Sequence, residues 1–239
     1  MVTLSRKLVA EALGTGFLLA VVIGSGIMGE RLAGGNAAIA LLANTLATGA
    51  GLLTLILVFG PISGAHFNPV VTLADATQGN TAWRHVPAYI SAQCSGALLG
   101  VAAAHLMFAE PLFSAAQHVR SGGAQCWSEF VASFGLLCVI SSCSRHRPGV
   151  TPFAVAAWIT SAYWFTASTS FANPAVTLAR AASDTFAGIR AQDVPGFMLA
   201  QLAGGGAAFL LMQWLLKNPE PAECVQTARP EKQRQEELT

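Results

Sequence analysis

Long apolar runs separated by short polar segments dominate the chain. Six of these runs are long enough to form helices across the hydrocarbon core of a bilayer, which takes about 20 residues each. They cover roughly 5–28, 37–59, 84–107, 125–144, 150–167 and 194–216. Two further apolar pieces, 68–77 and 173–183, are too short to cross. The pattern therefore predicts six membrane spans and two half-length helices.

Each short piece begins with an Asn-Pro pair, in "NPVVTLAD" from residue 68 and "NPAVTLAR" from residue 173. Proline at the first position of a helix loses no backbone hydrogen bond, and the Asn before it can cap the helix. Both pieces are therefore predicted to be half-helices that begin at these turns. The two turns contain Asn68, Pro69, Val70, Asn173, Pro174 and Ala175.

The chain repeats itself beyond these turns. "AEALGTGFLL" at 10–19 resembles "SEFVASFGLL" at 128–137, which places Glu11 and Glu129 at equivalent points of the first and fourth spans. A unit of three spans inverts the second copy relative to the first, and such repeats form a transport site near the bilayer midplane. The sequence predicts an all-α membrane protein whose channel domain, 1–216, holds inverted repeats at about 5–107 and 125–216.

Composition and charge agree with a polytopic membrane protein. Only 10% of the residues are charged, against about 25% in soluble domains. The net charge of +1 offers no footprint for nucleic acid. The loop distribution of Lys and Arg predicts a cell-membrane protein with both termini cytoplasmic. The polar tail, 217–239, is predicted to be disordered. No spacing of Cys or His predicts a metal site or a cofactor, and no nucleophile–base constellation predicts an enzyme.

The two Asn-Pro loops resemble those of the major intrinsic protein family, the aquaporins and aquaglyceroporins. "ISGAHFNPVVT" at 62–72 is similar to the family's first loop, with Val70 in place of the usual Ala. The resemblance covers 5–216. It implies a right-handed bundle of six spans and two half-helices, assembled in the bilayer as a homotetramer with one pore per subunit.

The physics of a pore between two half-helices can be stated without the family. Their N-termini, each with about half a positive charge, would oppose cations and hydronium. The amides of Asn68 and Asn173 would donate hydrogen bonds at the centre, and loop carbonyls would accept them. A neutral hydroxylated solute meets these groups in sequence, whereas an ion loses its hydration without replacement. A passive channel for neutral solutes is expected.

Glu11 and Glu129 allow two interpretations, because a carboxylate within a span is a functional candidate. Each could accept backbone N–H groups of its re-entrant loop and hold that loop in place. Alternatively, the pair could couple transport to protons, as in a secondary transporter. No other span carries an acid that would complete a proton relay, so loop support is favoured.

The resemblance also identifies a ring of four residues that sets pore selectivity. Most family members place Arg directly after the second Asn-Pro-Ala, where this chain has Val176. Counting from the loops gives Thr48, Ser161 and Ser170 for the other positions, with Ala162 or Tyr163 as neighbours of the least secure one. Such a ring is wide and uncharged. It favours glycerol, urea and undissociated metalloid hydroxides such as arsenite beside water; a water-selective aquaporin is the alternative.

Two residues are candidates for the pore mouths. His66 precedes the first Asn-Pro turn and is either a structural histidine or a vestibule residue whose protonation gates the pore. Arg180 lies one helical turn beyond Val176. It either leans back toward the mouth, as a partial substitute for the missing Arg, or extends to the membrane interface.

Overall fold

The computed structural model describes residues 2–217, so the predicted tail lies, except for Lys217, outside the described residues. Eight α-helices form this part of the chain. They are α1 (Leu4–Leu32), α2 (Ala37–Ser63), α3 (Pro69–Thr77), α4 (Val86–Phe108), α5 (Gly123–His146), α6 (Thr151–Phe165), α7 (Pro174–Arg180) and α8 (Val194–Leu215). Consecutive long helices reverse direction, so α1 begins and α8 ends on one side of the molecule, here called the N-terminal side.

Five helices are long and apolar enough to cross a membrane within the described part: α1, α2, α4, α5 and α8, two of them extended by a short 3₁₀ turn. The predicted fifth span, 150–167, is shorter than expected. Helix α6 has 15 residues, about 22 Å at the α-helical rise, because Thr166 turns to an extended conformation and leads the chain back inward. Helix α6 still takes its place in the bundle, in contact with α2 and α5.

The packing repeats between the two halves. In the first half α1 packs on α2 and α4, and in the second half α5 packs on α6 and α8. The half-helices cross between the halves, since α3 contacts α8 and α7 contacts α4. The predicted inverted repeat is confirmed in this arrangement of helices.

Glycines allow the long helices of each half to approach closely. A Cβ atom at Gly96 or Gly100 of α4 would collide with backbone oxygens of Ala12 and Gly16 in α1. A Cβ atom at Gly204 of α8 would likewise collide with the Phe130 carbonyl of α5. Both repeats therefore use the same device, close backbone contact at a small residue.

The two half-helices begin as predicted, at Asn-Pro turns. The side-chain oxygen of Asn68 accepts the Val70 N–H at 2.9 Å, and that of Asn173 accepts the Ala175 N–H at 3.0 Å. Each Asn is thus an N-cap with Pro at the first helical position. Both helices start in the interior of the bundle and run outward to opposite sides.

Candidate pore

The loop before α3 is anchored on the carboxylate of Glu11, which is completely buried in α1. One carboxylate oxygen accepts the Ser63 hydroxyl at 2.6 Å and the His66 N–H at 3.0 Å. The other accepts the Phe67 N–H at 2.7 Å and the Gln93 side-chain amide at 2.8 Å. Charge-assisted bonds of this kind are about twice as strong as neutral ones. Glu11 therefore fixes the loop from its entry to its end.

Glu129 of α5 does the same for the loop before α7. Its carboxylate is also completely buried. It accepts the N–H groups of Phe171 at 2.9 Å and Ala172 at 2.8 Å, and the Gln201 side-chain amide at 2.6 Å. The two glutamates thus occupy equivalent places in the two repeats.

Gln93 and Gln201 complete these networks and were not predicted as site residues. Besides its glutamate, each donates to a half-helix hydroxyl: Gln93 to Thr72 at 2.9 Å and Gln201 to Thr177 at 2.8 Å. The sequence does carry a trace of them. "AQCSG" at 92–96 and "AQLAG" at 200–204 share an Ala-Gln pair and a Gly at the same spacing.

The networks hold a backbone that is unfavourable by itself. The first loop has positive φ at Ala65 (49°) and Phe67 (51°), and the second has it at Thr169 (59°), Ser170 (50°) and Ala172 (48°). The left-handed region costs a non-glycine residue roughly 1–2 kcal/mol. The bonds of the loop N–H groups to Glu11 and Glu129 offset this cost.

The two Asn side chains connect the loops reciprocally. The side-chain amide nitrogen of Asn68 donates to the Ala172 carbonyl at 2.7 Å, and that of Asn173 donates to the Phe67 carbonyl at 2.7 Å. A carboxamide nitrogen has two hydrogens, so the second hydrogen of each remains for a molecule in the interior. Both Asn residues line a cavity of about 280 Å³.

This cavity extends from the end of α3 to the end of α7. At the N-terminal side its lining includes His66, Asp75 and Asn80, and at the opposite side it includes Tyr163 and Arg180. The Asn pair lies between these ends. The elements of the two repeats thus line one cavity rather than two separate clefts.

Three of the four predicted ring residues line the cavity: Thr48, Ser170 and Val176. The Ser170 side chain is 2% exposed, and its hydroxyl has no hydrogen-bond partner among the described residues. That oxygen is itself buried, so Ser170 lines the cavity with its other atoms.

Ser161, the fourth predicted residue, does not line the cavity. It is exposed on α6, and its hydroxyl donates to the Trp158 carbonyl of the same helix at 2.8 Å. Tyr163 takes the place instead: it is buried, and its hydroxyl lies 3.4 Å from that of Thr48. Two residues correspond to about 200° around a helix, so the two side chains point in nearly opposite directions. Ser161 lies twelve residues before Asn173, whereas Tyr163, which lines the cavity, lies ten residues before it. The chain between α6 and α7 is therefore shorter than the prediction assumed.

The other residues of the Asn-Pro turns support the path without lining it. Pro69 and Pro174 start the half-helices, and Ala175 is fully buried. Val70 packs against Gly205 of α8, where a Cβ atom would collide with it. The absence of a side chain at Gly205 explains how this chain accommodates Val in place of Ala.

Arg180 does not extend to the membrane interface. It is 2% exposed and lines the cavity. Its Nε donates to the Ala187 carbonyl, and its guanidinium carbon lies 3.3 Å from the centroid of the Phe171 ring. Of the two predictions for Arg180, the structure is consistent with the inward one.

A second arginine lies against the same ring. The guanidinium of Arg120 is 5.0 Å from the Phe171 centroid, and its Nε donates to the Gly188 carbonyl at 2.8 Å. Burial lowers the pKa of Arg120 to about 10, which leaves it charged at neutral pH. Burial, with the charges of Arg120 and Arg180, lowers the pKa of His118 in the preceding loop. Two guanidinium groups thus lie against one aromatic ring on this side of the path.

His66 lies at the other end. Its Nδ1 is 3.1 Å from the Thr72 hydroxyl, and its Nε2 is 3.6 Å from an Asp75 carboxylate oxygen. The carboxylate is also bound by Asn80 at 3.2 Å and by the Thr81 hydroxyl at 2.6 Å. His66 thus belongs both to the packing of the loop and to the lining of the cavity.

Comparisons with known proteins agree on one family. The family model described as "Major intrinsic protein" matches residues 1–162. Aquaglyceroporin AqpS of Rhizobium meliloti (strain 1021) is 52% identical over 218 residues, which cover 91% of this chain and 93% of that protein. Aquaporin NIP6-1 of Arabidopsis thaliana is 34% identical over 155 residues, 64% of this chain and 50% of that protein. In fold, the chain is similar to the X-ray structure of the aquaglyceroporin from Plasmodium falciparum, with a TM-score of 0.69 at 19% identity, covering 95% of this chain and 100% of that one.

Proposed function

Because this chain belongs to the major intrinsic protein family, we propose that it is a passive channel for small neutral solutes, of the aquaglyceroporin kind. Its substrates are glycerol, urea, water and undissociated metalloid hydroxides such as arsenite. The observation that carries the proposal is the lining of the cavity near the end of α7, where Thr48, Tyr163, Ser170 and Val176 lie and no Arg occupies the Val176 position.

The lining suits solutes that both donate and accept hydrogen bonds. The free amide hydrogens of Asn68 and Asn173 donate at the centre, and the hydroxyls of Thr48 and Tyr163, which line the same cavity, can donate or accept. Apolar side chains such as Val176 and Leu52 face the same cavity. A polyol or a trihydroxide presents hydroxyls to the polar groups and a compact body to the apolar ones.

Loop support by Glu11 and Glu129 is the role favoured over proton coupling. Every contact of the two carboxylates comes from a donor, so their oxygens already bind N–H and O–H groups. Neither residue lines the cavity found in the described chain. A proton relay would need a carboxylate in contact with the transported path.

The assembly and its placement are part of the proposal. We infer that residues 1–216 form the channel domain of a homotetramer in the cell membrane, with both termini in the cytoplasm, so that Arg180 faces the outside and Asp75 the inside. The outward faces of the long helices are apolar, as lipid and neighbouring subunits require. They carry Val9, Leu46, Leu99, Leu106, Leu199 and Leu210.

The test is stopped-flow light scattering of proteoliposomes that contain the purified full chain. Water, glycerol, urea and arsenite permeabilities are measured against empty vesicles of the same lipid. We expect each solute to pass faster than through lipid alone. Water flux without glycerol flux would support the water-selective alternative instead.

A further inference from the structure

Two side chains with a formal charge line the cavity in the described chain, one near each mouth. Asp75 lies at the end of α3 and Arg180 at the end of α7. They occupy equivalent places in the two repeats, each four residues after a Val (Val71 and Val176) that also lines the cavity. The inverted repeat thus gives the path an acidic mouth and a basic mouth.

Arg180 is held in a fixed position beside the path. Nε is bound by the Ala187 carbonyl, and the flat face of the guanidinium lies on the Phe171 ring. These contacts leave the terminal N–H groups for the cavity. A guanidinium that is both stacked and bound at Nε does not swing into the aperture.

Arg180 forms no ion pair among those identified in the described residues, although the buried carboxylate of Glu129, which holds the Phe171 backbone, acts on its charge. The three ion pairs identified within residues 2–217 involve other residues. The carboxylates on this side have partners already: Asp193 binds Arg190 at 2.9 Å, and Asp184 accepts the Gln117 N–H at 2.9 Å. The charge that acts most strongly on Arg180 is that of Arg120, which has the same sign and lies on the same ring.

The proposed channel needs a positive charge in the path to exclude small cations. An aperture wide enough for glycerol does not stop a small cation by size. The half-helix N-termini carry only about half a charge each, and Asp75 attracts cations at the other mouth. A full charge in a path of low dielectric constant acts far more strongly than it would in water.

We propose that Arg180 is the residue that excludes cations from this pore, acting one helical turn outward from the position held by Val176. The inference rests on the proposed channel function and divides its selectivity in two. Val176 sets the width of the aperture and hence the size of the solutes that pass, and Arg180 excludes cations by its charge. Size and charge selection, which a single Arg at the Val176 position would combine, are thus separated by one turn of α7.

The experiment compares Arg180→Gln with Arg180→Lys in proteoliposomes matched for protein content. Potassium uptake is followed with a trapped potassium-sensitive dye, and glycerol permeability is measured on the same vesicles. Loss of the charge should raise potassium flux by about tenfold or more, with glycerol flux changed by less than about twofold because the aperture keeps its width. Lysine retains the charge and should retain the exclusion.

Two further variants keep the test decisive. Arg31→Gln removes an exposed cation on the same side, paired with Glu110 at 2.7 Å and outside the cavity lining, and should leave potassium flux unchanged. Val176→Arg combined with Arg180→Gln returns a cation to the path, so it should restore exclusion while reducing glycerol flux.

The outcomes separate the inference from the function on which it rests. A parent protein without glycerol flux would overturn the proposed function. A parent with glycerol flux, together with an Arg180→Gln variant as tight to potassium as Arg31→Gln, would overturn the role of Arg180 alone. The inference also fails if Arg180→Lys leaks like Arg180→Gln, or if the double variant stays leaky, because the leak would then reflect a disturbed loop.

Discussion

At the scale of single residues, Asn68 and Asn173 each serve two structures at once. The side-chain oxygen caps the residue's own half-helix, and the nitrogen binds a carbonyl of the other repeat. Only a carboxamide offers an acceptor and a two-hydrogen donor in one flat group. These positions therefore tolerate substitution less than ordinary N-caps, where the acceptor alone is used.

Asn68→Asp and Asn173→Asp are expected to reduce glycerol flux by about tenfold or more, because a carboxylate has no hydrogen for the opposite carbonyl and buries a charge there. The measurement is glycerol permeability at equal membrane abundance. Asn36→Asp is the matched control, since Asn36 caps α2 with its oxygen alone and Asp caps equally well. Parental flux in both pore variants would mean that the path does not pass these residues.

Val176→Arg should lower the ratio of glycerol to water permeability, because a long side chain with five N–H donors enters the ring beside Ser170. Metalloid hydroxides of glycerol size should follow glycerol. Some loss of stability is expected from the like charge of Arg180 one turn away. Val176→Ala serves as the control, which should keep the ratio or raise it. An unchanged ratio in the Arg variant would show that Val176 is not in the constriction.

At the scale of elements, each re-entrant loop is held by a buried carboxylate. Each half-helix also contacts a long helix of the other repeat, α3 contacting α8 and α7 contacting α4. Each loop has several residues with positive φ and forms few backbone–backbone hydrogen bonds of its own. Glu11 and Glu129 supply what is missing. The loops are thus stabilised by side chains from the spans rather than by their own structure.

Glu11→Gln is expected to destabilise the protein by about 2–4 kcal/mol, since the new NH₂ group faces a donor and the remaining bonds lose their charge. Folded yield and the thermal midpoint in detergent measure this effect. Glycerol flux of the surviving protein should keep the parental pH profile. A steep parental profile that disappears in Glu11→Gln would favour proton coupling.

The close contact of α3 with α8 at Gly205 and Val70 predicts how a larger residue there changes stability. Gly205→Ala should cost about 1–3 kcal/mol, because the added methyl meets Val70 in a packed interior. Val70→Ala in the same chain should recover most of this loss, and the double-mutant cycle measures the coupling between the two residues. Additive effects would show that α3 shifts away from α8 instead.

Helix α6 shows which features of an element can be predicted from the sequence and which cannot. Apolar runs and Asn-Pro caps depend on local composition, so the half-helices and most spans were predictable. The end of α6 and the orientation of Ser161 and Tyr163 depend on how tightly the next loop returns to the interior. That path is set by Glu129 and by contacts across the repeat, which no local pattern encodes. The inward position of Arg180 likewise depends on Phe171 and Ala187, which only the fold brings together.

At the scale of the whole molecule, the two repeats give the path matching supporting residues and mouths of opposite charge. Matching glutamates, glutamines and asparagines hold the two halves alike. The mouths differ, with Asp75 at one and Arg180 at the other. The charges at the mouths act on an ion far more strongly than on a neutral solute.

A path without coupling to ions predicts equal glycerol permeability in both directions. Influx and efflux from the same proteoliposomes should agree within error and should not respond to an imposed sodium or proton gradient. Vesicles that accumulate glycerol against its gradient when a proton gradient is applied would contradict a passive channel. Osmotic shock in each direction, with and without the gradients, is the measurement.

The reciprocal bonds of the two asparagines also bear on biosynthesis. They join residues 104 and 106 positions apart along the chain. At the usual pace of translation, the second partner leaves the ribosome roughly 5–20 s after the first. Until then the Phe67 carbonyl and the Asn68 amide have no partner from the other repeat, so we expect the first loop to stay hydrated after the three spans of its own repeat have been made. The pore is therefore completed late, and we expect a nascent chain stopped before residue 172 to insert into the membrane without forming a pore.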